Sequence, residues 1–206
     1  MEFNCIIKKQ SELEALSPCR IGFLGGSFNP IHNGHIALAE YALDVFFDYI
    51  VFCPHSLHPD KKNILENIRH RVNMICIAKE LSRHAERMFI IDTSFIHGTH
   101  YNKFVGLCKE LNSIDIYTGI ICGSDSLMRP YYSELCQFDH FVGTRKMEYN
   151  KEHIKSLING KTIFFDTPFN ALSSTDIRTL ISENKPLEIN DQIQEYIVEN
   201  KLYQSS

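Results

Sequence analysis

Short apolar runs that alternate with helical periodicity constrain this chain more than any other feature. The runs are RIGFLGG (20–26), YIVFCP (49–54), MFIIDTSF (88–95), IYTGIICG (116–123), FDHFVGTR (138–145) and KTIFFD (161–166). Several are continuously apolar, the pattern of strands covered on both faces. Between them, HIALAEYALDVF (35–46) and ENIRHRVNMICIAKEL (66–81) repeat apolar residues at three- and four-residue steps. YNKFVGLCKELN (101–112) does so more weakly, and QIQEYIVENKLY (192–203) reads as a closing helix. Strand–helix alternation predicts an α/β parallel sheet wrapped by helices, with right-handed crossovers. Ligands in such sheets settle at the carboxyl ends of the strands, near the point where strand order reverses. The loops after the strands are therefore where function is expected. Residues 1–19 are read as an N-terminal extension, an added edge strand or short helix, ahead of a domain over 20–206.

The 206 residues suit one domain with a full core. A net charge of −4 offers no basic surface for nucleic acid or anionic lipid. Seven cysteines, odd in number and without a C-x-x-C, argue for reduced thiols and against a disulfide framework. The first residues carry no stretch apolar enough for a secretory signal, and no run approaches ~18 uninterrupted apolar residues. A cytoplasmic protein with no membrane partner is expected, and a homo-oligomer stays compatible with the sequence.

GGSFNPIHNGH (25–35) follows the first of these strands directly. Gly25 and Gly26 allow a sharp turn with backbone close to a ligand. A helix N-terminus carries unpaired N–H groups and a partial positive charge, and His32 and His35 add two imidazoles there. The combination is suited to phosphate. Other readings stay open: the glycines make only a tight turn, or the histidines serve the core, the surface or a metal. The i, i+3 spacing and the lack of a neighbouring carboxylate or thiol count against a metal. Downstream, LSSTDIR (172–178) offers Ser173, Ser174 and Thr175 as caps, with Arg178 on the same helix face as Thr175. Capping alone would explain the hydroxyls; a guanidinium beside free amides would clamp a polyphosphate. In IICGSDSL (120–127), Gly123 allows close approach and Asp125 could bond a ribose hydroxyl.

These segments carry a resemblance. GGSFNPIHNGH resembles the G-[TS]-F-[DN]-P-x-H-x-G-H signature of the nucleotidylyltransferase superfamily, and LSSTDIR its I-S-S-T-x-I-R, with Leu172 for the usual Ile. GSDSL resembles the G-[AS]-D-x-[LF] turn of dinucleotide-forming adenylyltransferases. Residues 20–203 are most similar to the bacterial nicotinate mononucleotide adenylyltransferases. The resemblance implies a Rossmann-like doubly wound sheet with helices on both faces. It also implies transfer of adenylate from ATP to nicotinate mononucleotide, giving nicotinate adenine dinucleotide and pyrophosphate.

Under that resemblance His32, His35 and Arg178 are the catalytic residues. Gly25, Gly26, Ser27, Phe28, Gly123, Asp125, Ser173, Ser174 and Thr175 join them in binding ATP, whose phosphates would bring Mg²⁺. Lys61 and Lys62 stand where the family has P-P-H-K. HGTHYNKF (97–104) matches the family's G-x-S-Y-T in part, which points to Thr99 and Tyr101. The chain has no tryptophan to stack on a pyridine ring, and Tyr131 and Tyr132 lie where the family commonly places one. Two rivals stay open: another acceptor (nicotinamide mononucleotide or phosphopantetheine), and an adenylate sensor without catalysis.

Overall fold

A computed structural model describes residues 5–55, 65–92, 102–123, 134–144, 150–166, 173–187 and 189–204. Its strands are β1 (Ile6–Ile7), β2 (Cys19–Gly26), β3 (Tyr49–Pro54), β4 (Met88–Ile91), β5 (Ile116–Gly123), β6 (His140–Thr144) and β7 (Thr162–Asp166). Its helices are α1 (Gln10–Glu14), α2 (Asn33–Val45), α3 (Ile68–Glu80), α4 (Asn102–Asn112), α5 (Lys151–Leu157), α6 (Ser174–Ser182) and α7 (Asp191–Glu199). The strands form one sheet in the order β1-β4-β3-β2-β5-β6-β7, and every pairing is parallel.

Alternation along the central strands sends side chains to two separate cores. Leu24, Ile50, Phe52 and Ile121 face one, with α2, α3, α6 and α7 packed over them through Leu38, Met74, Ile177 and Ile193. Ile21, Phe23, Val51 and Ile120 face the other, covered by Leu13 of α1, Leu107 of α4 and Ile154 of α5. Handedness explains the division. The chain steps outward from β2 to β3 to β4 with α2 and α3 on the first face, then returns to β5 through α4 on the second. A right-handed crossover that reverses direction must change faces.

Differences from the sequence reading are local. The strand expected over 138–145 begins at His140, and residue 145 lies outside the described ones. The run at 88–95 is strand over Met88–Ile91, and its last three residues lie outside the described ones. Residues 1–19, read as an edge strand or short helix, supply both: Ile6 and Ile7 pair with Ile90 and Ile91 at the sheet's edge, ahead of helix α1, so the strand at 20–26 is second in the chain. Helix α5 was not foreseen: KEHIKSL has one buried apolar residue, Ile154, and so no visible period. All seven cysteines are thiols. No helix among the described residues is long and apolar enough to cross a membrane.

Two glycines let the central strands accept an aromatic lid. Gly22 of β2 and Gly119 of β5 are register partners. The buried Phe47 ring lies across both: a Cβ on Gly119 would stand 2.7 Å from Phe47 Cζ and 2.8 Å from Phe141 Cε2. Neither ring has room to retreat in a packed interior. Gly119→Ala should therefore cost about 1–3 kcal/mol by overpacking, read as a lower midpoint in urea denaturation. An unchanged midpoint would show that the rings are loosely held.

Candidate active site

The sheet reverses between β2 and β5, with β3 and β4 beyond one and β6 and β7 beyond the other. At that switch point β2 ends on Gly25 and Gly26 and β5 on Gly123. Residues 27–32 then lead from β2 into α2. His32 caps the helix from extended backbone, its Nδ1 accepting from the Gly34 amide at 3.2 Å. His35 Nδ1 accepts from the His32 amide at 3.3 Å. A reciprocal capping box of this kind is commonly made by Ser and Glu; here both members are imidazoles. The chemistry follows from the bonds. A neutral ring that accepts at Nδ1 carries its proton on Nε2, so each ring presents Nε2–H as a donor. The two rings lie 3.9 Å apart between centroids, which makes one paired donor of them.

Beneath this pair the loop is held by its carbonyl groups. Arg71 of α3, only 1% exposed, donates from Nη1 to the Ser27 carbonyl at 2.7 Å and from Nε to the Glu66 carbonyl at 2.9 Å. Arg178 of α6 donates from Nη1 to the Asn29 carbonyl at 2.7 Å. Ser174 Oγ donates to the Pro30 carbonyl at 2.9 Å. N–H and C=O of one trans peptide point in opposite directions. With the Ser27 carbonyl drawn toward buried Arg71, the Phe28 N–H points away from it.

Phe28 takes the left-handed conformation at φ 47° and is 1% exposed. Such backbone costs about 1–3 kcal/mol and persists where surroundings fix it. Here the ring is wedged under Gly26, where a Cβ would stand 2.9 Å from Phe28 Cζ, and its edge supports the His35 ring at 5.0 Å. Gly26 is thus a space requirement of Phe28. On the opposite face, Gly25 is covered by His55, whose Nε2 lies 3.5 Å from where a Cβ would be.

The amino end of α6 completes the arrangement. Ser173 caps the helix in a reciprocal box with Asp176. Arg178 also donates to the Ser174 carbonyl at 3.1 Å and to Thr175 Oγ1 at 3.2 Å. Among the described residues, those bonds engage three of the five guanidinium donors. Burial lowers the Arg178 pKa from its usual value and pushes that of Arg71 down to about 10. Both stay cationic at neutral pH. Two partly desolvated cations behind a loop of amide and imidazole donors make a site for an anion.

The structure thus gathers Gly25, Gly26, Ser27, Phe28, His32, His35, Ser173, Ser174, Thr175 and Arg178 at one rim of the sheet, with Gly123 ending the next strand. Asp125, Lys61, Lys62, Thr99, Tyr101, Tyr131 and Tyr132 lie outside the described residues. Sequence reasoning passed over Arg71, Asn29 and His55. Arg71 had a readable signal: it shares a helix face with Met74, Ile75 and Ala78, all buried, where an unpaired charge does not belong. Among the described residues no group of three or more His, Cys, Asp or Glu side chains could hold a metal ion.

Comparison with known proteins gives the family and the fold. Residues 23–180 match the Cytidylyltransferase-like family. The nicotinate-nucleotide adenylyltransferase of Bacillus subtilis is 30% identical over 194 residues, covering 90% of this chain and 99% of that protein. The Plasmodium falciparum nicotinic acid mononucleotide adenylyltransferase complexed with NaAD shares the fold, with a TM-score of 0.73 at 21% identity over 89% of this chain and 97% of that one. The same parasite enzyme complexed with APC gives a TM-score of 0.71 at 20% identity, over 90% and 97% of the two chains.

The Arg71 fork bridges two carbonyls that a lysine ammonium, a single point charge, cannot serve together. Arg71→Lys should destabilise the fold by about 1–3 kcal/mol by leaving one buried carbonyl unpaired, as read by urea denaturation. Wild-type stability in that variant would mean that the loop is held without the fork.

Proposed function

This chain belongs to the cytidylyltransferase-like family, and on that premise we propose that it transfers adenylate from ATP to nicotinate mononucleotide. The products are nicotinate adenine dinucleotide and pyrophosphate. The observation that carries the reading is the docking of α6 on the loop before α2, through Arg178 on the Asn29 carbonyl and Ser174 on that of Pro30. It joins the two motifs, remote in sequence, into one anion site. The adenylyltransferase relative that matches nearly end to end supports the choice of reaction.

The chemistry asks little of side chains beyond position and charge. A phosphate monoester is largely dianionic at neutral pH, its second pKa being about 6, so the attacking group needs no general base. Its oxygen attacks the α-phosphorus of ATP in line, and the bond to the β-phosphate oxygen breaks as pyrophosphate leaves. Charge grows on the leaving group, and the His32 and His35 Nε2–H donors stabilise it at the α- and β-phosphates. Arg178 and the amides near Ser174 and Thr175 hold the β- and γ-phosphates. Ser27 and the backbone around it touch the nucleotide, and Asp125 serves its ribose end or orients substrate. Lys61, Lys62, Thr99, Tyr101, Tyr131 and Tyr132 are assigned to the acceptor. The donor set of imidazole, guanidinium, hydroxyl and amide groups suits phosphate and not a resident metal, so Mg²⁺ would come with the ATP and would help neutralise its phosphate charge. The setting is cytoplasmic, and the partners are small molecules.

His35→Ala should lower kcat by about 10²–10³ in a pyrophosphate-release assay while the circular dichroism spectrum stays that of the wild type. Near-normal kcat would remove the imidazole from catalysis. Arg178→Ala should raise KM for ATP and slow the reverse reaction with pyrophosphate; unchanged constants would reduce it to a cap. The wild type, offered nicotinate mononucleotide, nicotinamide mononucleotide and phosphopantetheine in turn, should release pyrophosphate fastest with the first. Preference for another acceptor would move the assignment, and ATP binding without release would make the protein a sensor.

A further inference from the structure

Asn29 stands at a junction that the transfer chemistry does not use. Its side chain is 1% exposed, and Oδ1 accepts two hydrogen bonds, from the Glu66 amide at 3.0 Å and from the Tyr203 hydroxyl at 3.0 Å. Two donors fill both lone pairs of an amide oxygen and fix the direction of the side chain. The backbone carbonyl of the same residue seats Arg178, and the chain reaches His32 three residues later.

Tyr203 comes to this junction from beyond α7. The turn after that helix is closed by the Leu202 amide, which donates to the Ile197 carbonyl at 3.0 Å, and by burial of the Leu202 side chain. Tyr203 itself is left-handed at φ 62°, and its amide donates to Glu66 Oε1 at 3.4 Å. A tyrosine adopts that backbone only where something holds it. Ring burial alone would be met equally by phenylalanine; among the described residues the hydroxyl's hydrogen bond goes to Asn29.

We propose that Tyr203 is a positioning residue for phosphate binding. Its hydroxyl orients Asn29, and through Asn29 it sets the carbonyl that seats the Arg178 guanidinium and the backbone that leads to the imidazole pair. Its role runs through Asn29. The inference rests on the adenylyltransferase reading for its consequence in turnover, while its effect on nucleotide binding can be read without turnover.

The test uses Tyr203→Phe, Asn29→Ala and the double variant in the full chain. Calorimetry gives Kd for α,β-methylene-ATP, and pyrophosphate release gives kcat and KM, all well below each variant's melting temperature. Tyr203→Phe should weaken binding of the analogue and raise KM for ATP by about fivefold, the scale of one hydrogen bond, with KM for the acceptor unchanged. In the Asn29→Ala background the same substitution should cost nothing further, because the partner is already gone. A Tyr203→Phe protein that binds the analogue like the wild type overturns the proposal, as does a double variant whose losses multiply. Should Asn29→Ala not fold, the Kd of Tyr203→Phe decides alone. A wild type that binds the analogue but transfers to no acceptor defeats the adenylyltransferase reading, and the Kd comparison still decides the role of Tyr203.

Discussion

The bond from the Arg178 guanidinium to the Asn29 carbonyl joins two segments separated by 149 positions, and the site exists only where they meet. Ser174 adds a second tie to the next carbonyl. Arg71 draws the Ser27 carbonyl toward the interior from a third element. Three carbonyl oxygens that would repel an anion are thereby engaged by donors. The imidazole pair and the amides of the loop are fixed in position by these ties. Preorganised donors of this kind stabilise developing charge without reorganisation.

That local arrangement depends on the topology beneath it. Reversal of strand order between β2 and β5 leaves a crevice at their carboxyl ends. The fixed hand of the crossovers then places α2 and α6 over the same face of the sheet, where their amino ends can approach each other. Close packing carries the geometry upward. Phe47 lies on the bare backbone of Gly22 and Gly119 in the centre of the sheet, and Phe28 lies under Gly26 at its rim. The strained backbone of Phe28 persists because its ring fills the space that Gly26 leaves, and that ring carries His35.

Much of this was legible in the chain itself. Continuous apolar runs announced the strands of a parallel sheet, and α2 and α3 showed their three- and four-residue steps. The histidine pair and the Ser-Ser-Thr cluster with Arg178 each have a dense local signature, and the structure packs the two segments together. Other features left no periodic trace. The strand of Ile6 and Ile7 is too short to alternate, and α5 buries only Ile154. His32 as cap of α2, in place of a hydroxyl or carboxylate, lies outside the usual preference and set the helix start two residues earlier than the apolar pattern did. The convergence of Arg71, Asn29 and Tyr203 is a tertiary event between α3, the loop after β2 and the turn after α7. No local pattern encodes it, although a lone arginine among buried α3 residues hinted at half of it.

A crystal structure with α,β-methylene-ATP and magnesium tests the central claim most directly. The account requires phosphate oxygens within hydrogen-bond distance of Nε2 on both His32 and His35 and of the Arg178 guanidinium, with the bonds from Arg178 to Asn29 and from Ser174 to Pro30 retained. A triphosphate bound away from the imidazoles, or one that pulls Arg178 off the Asn29 carbonyl to reach it, would contradict the claim that this site is built in advance of its ligand.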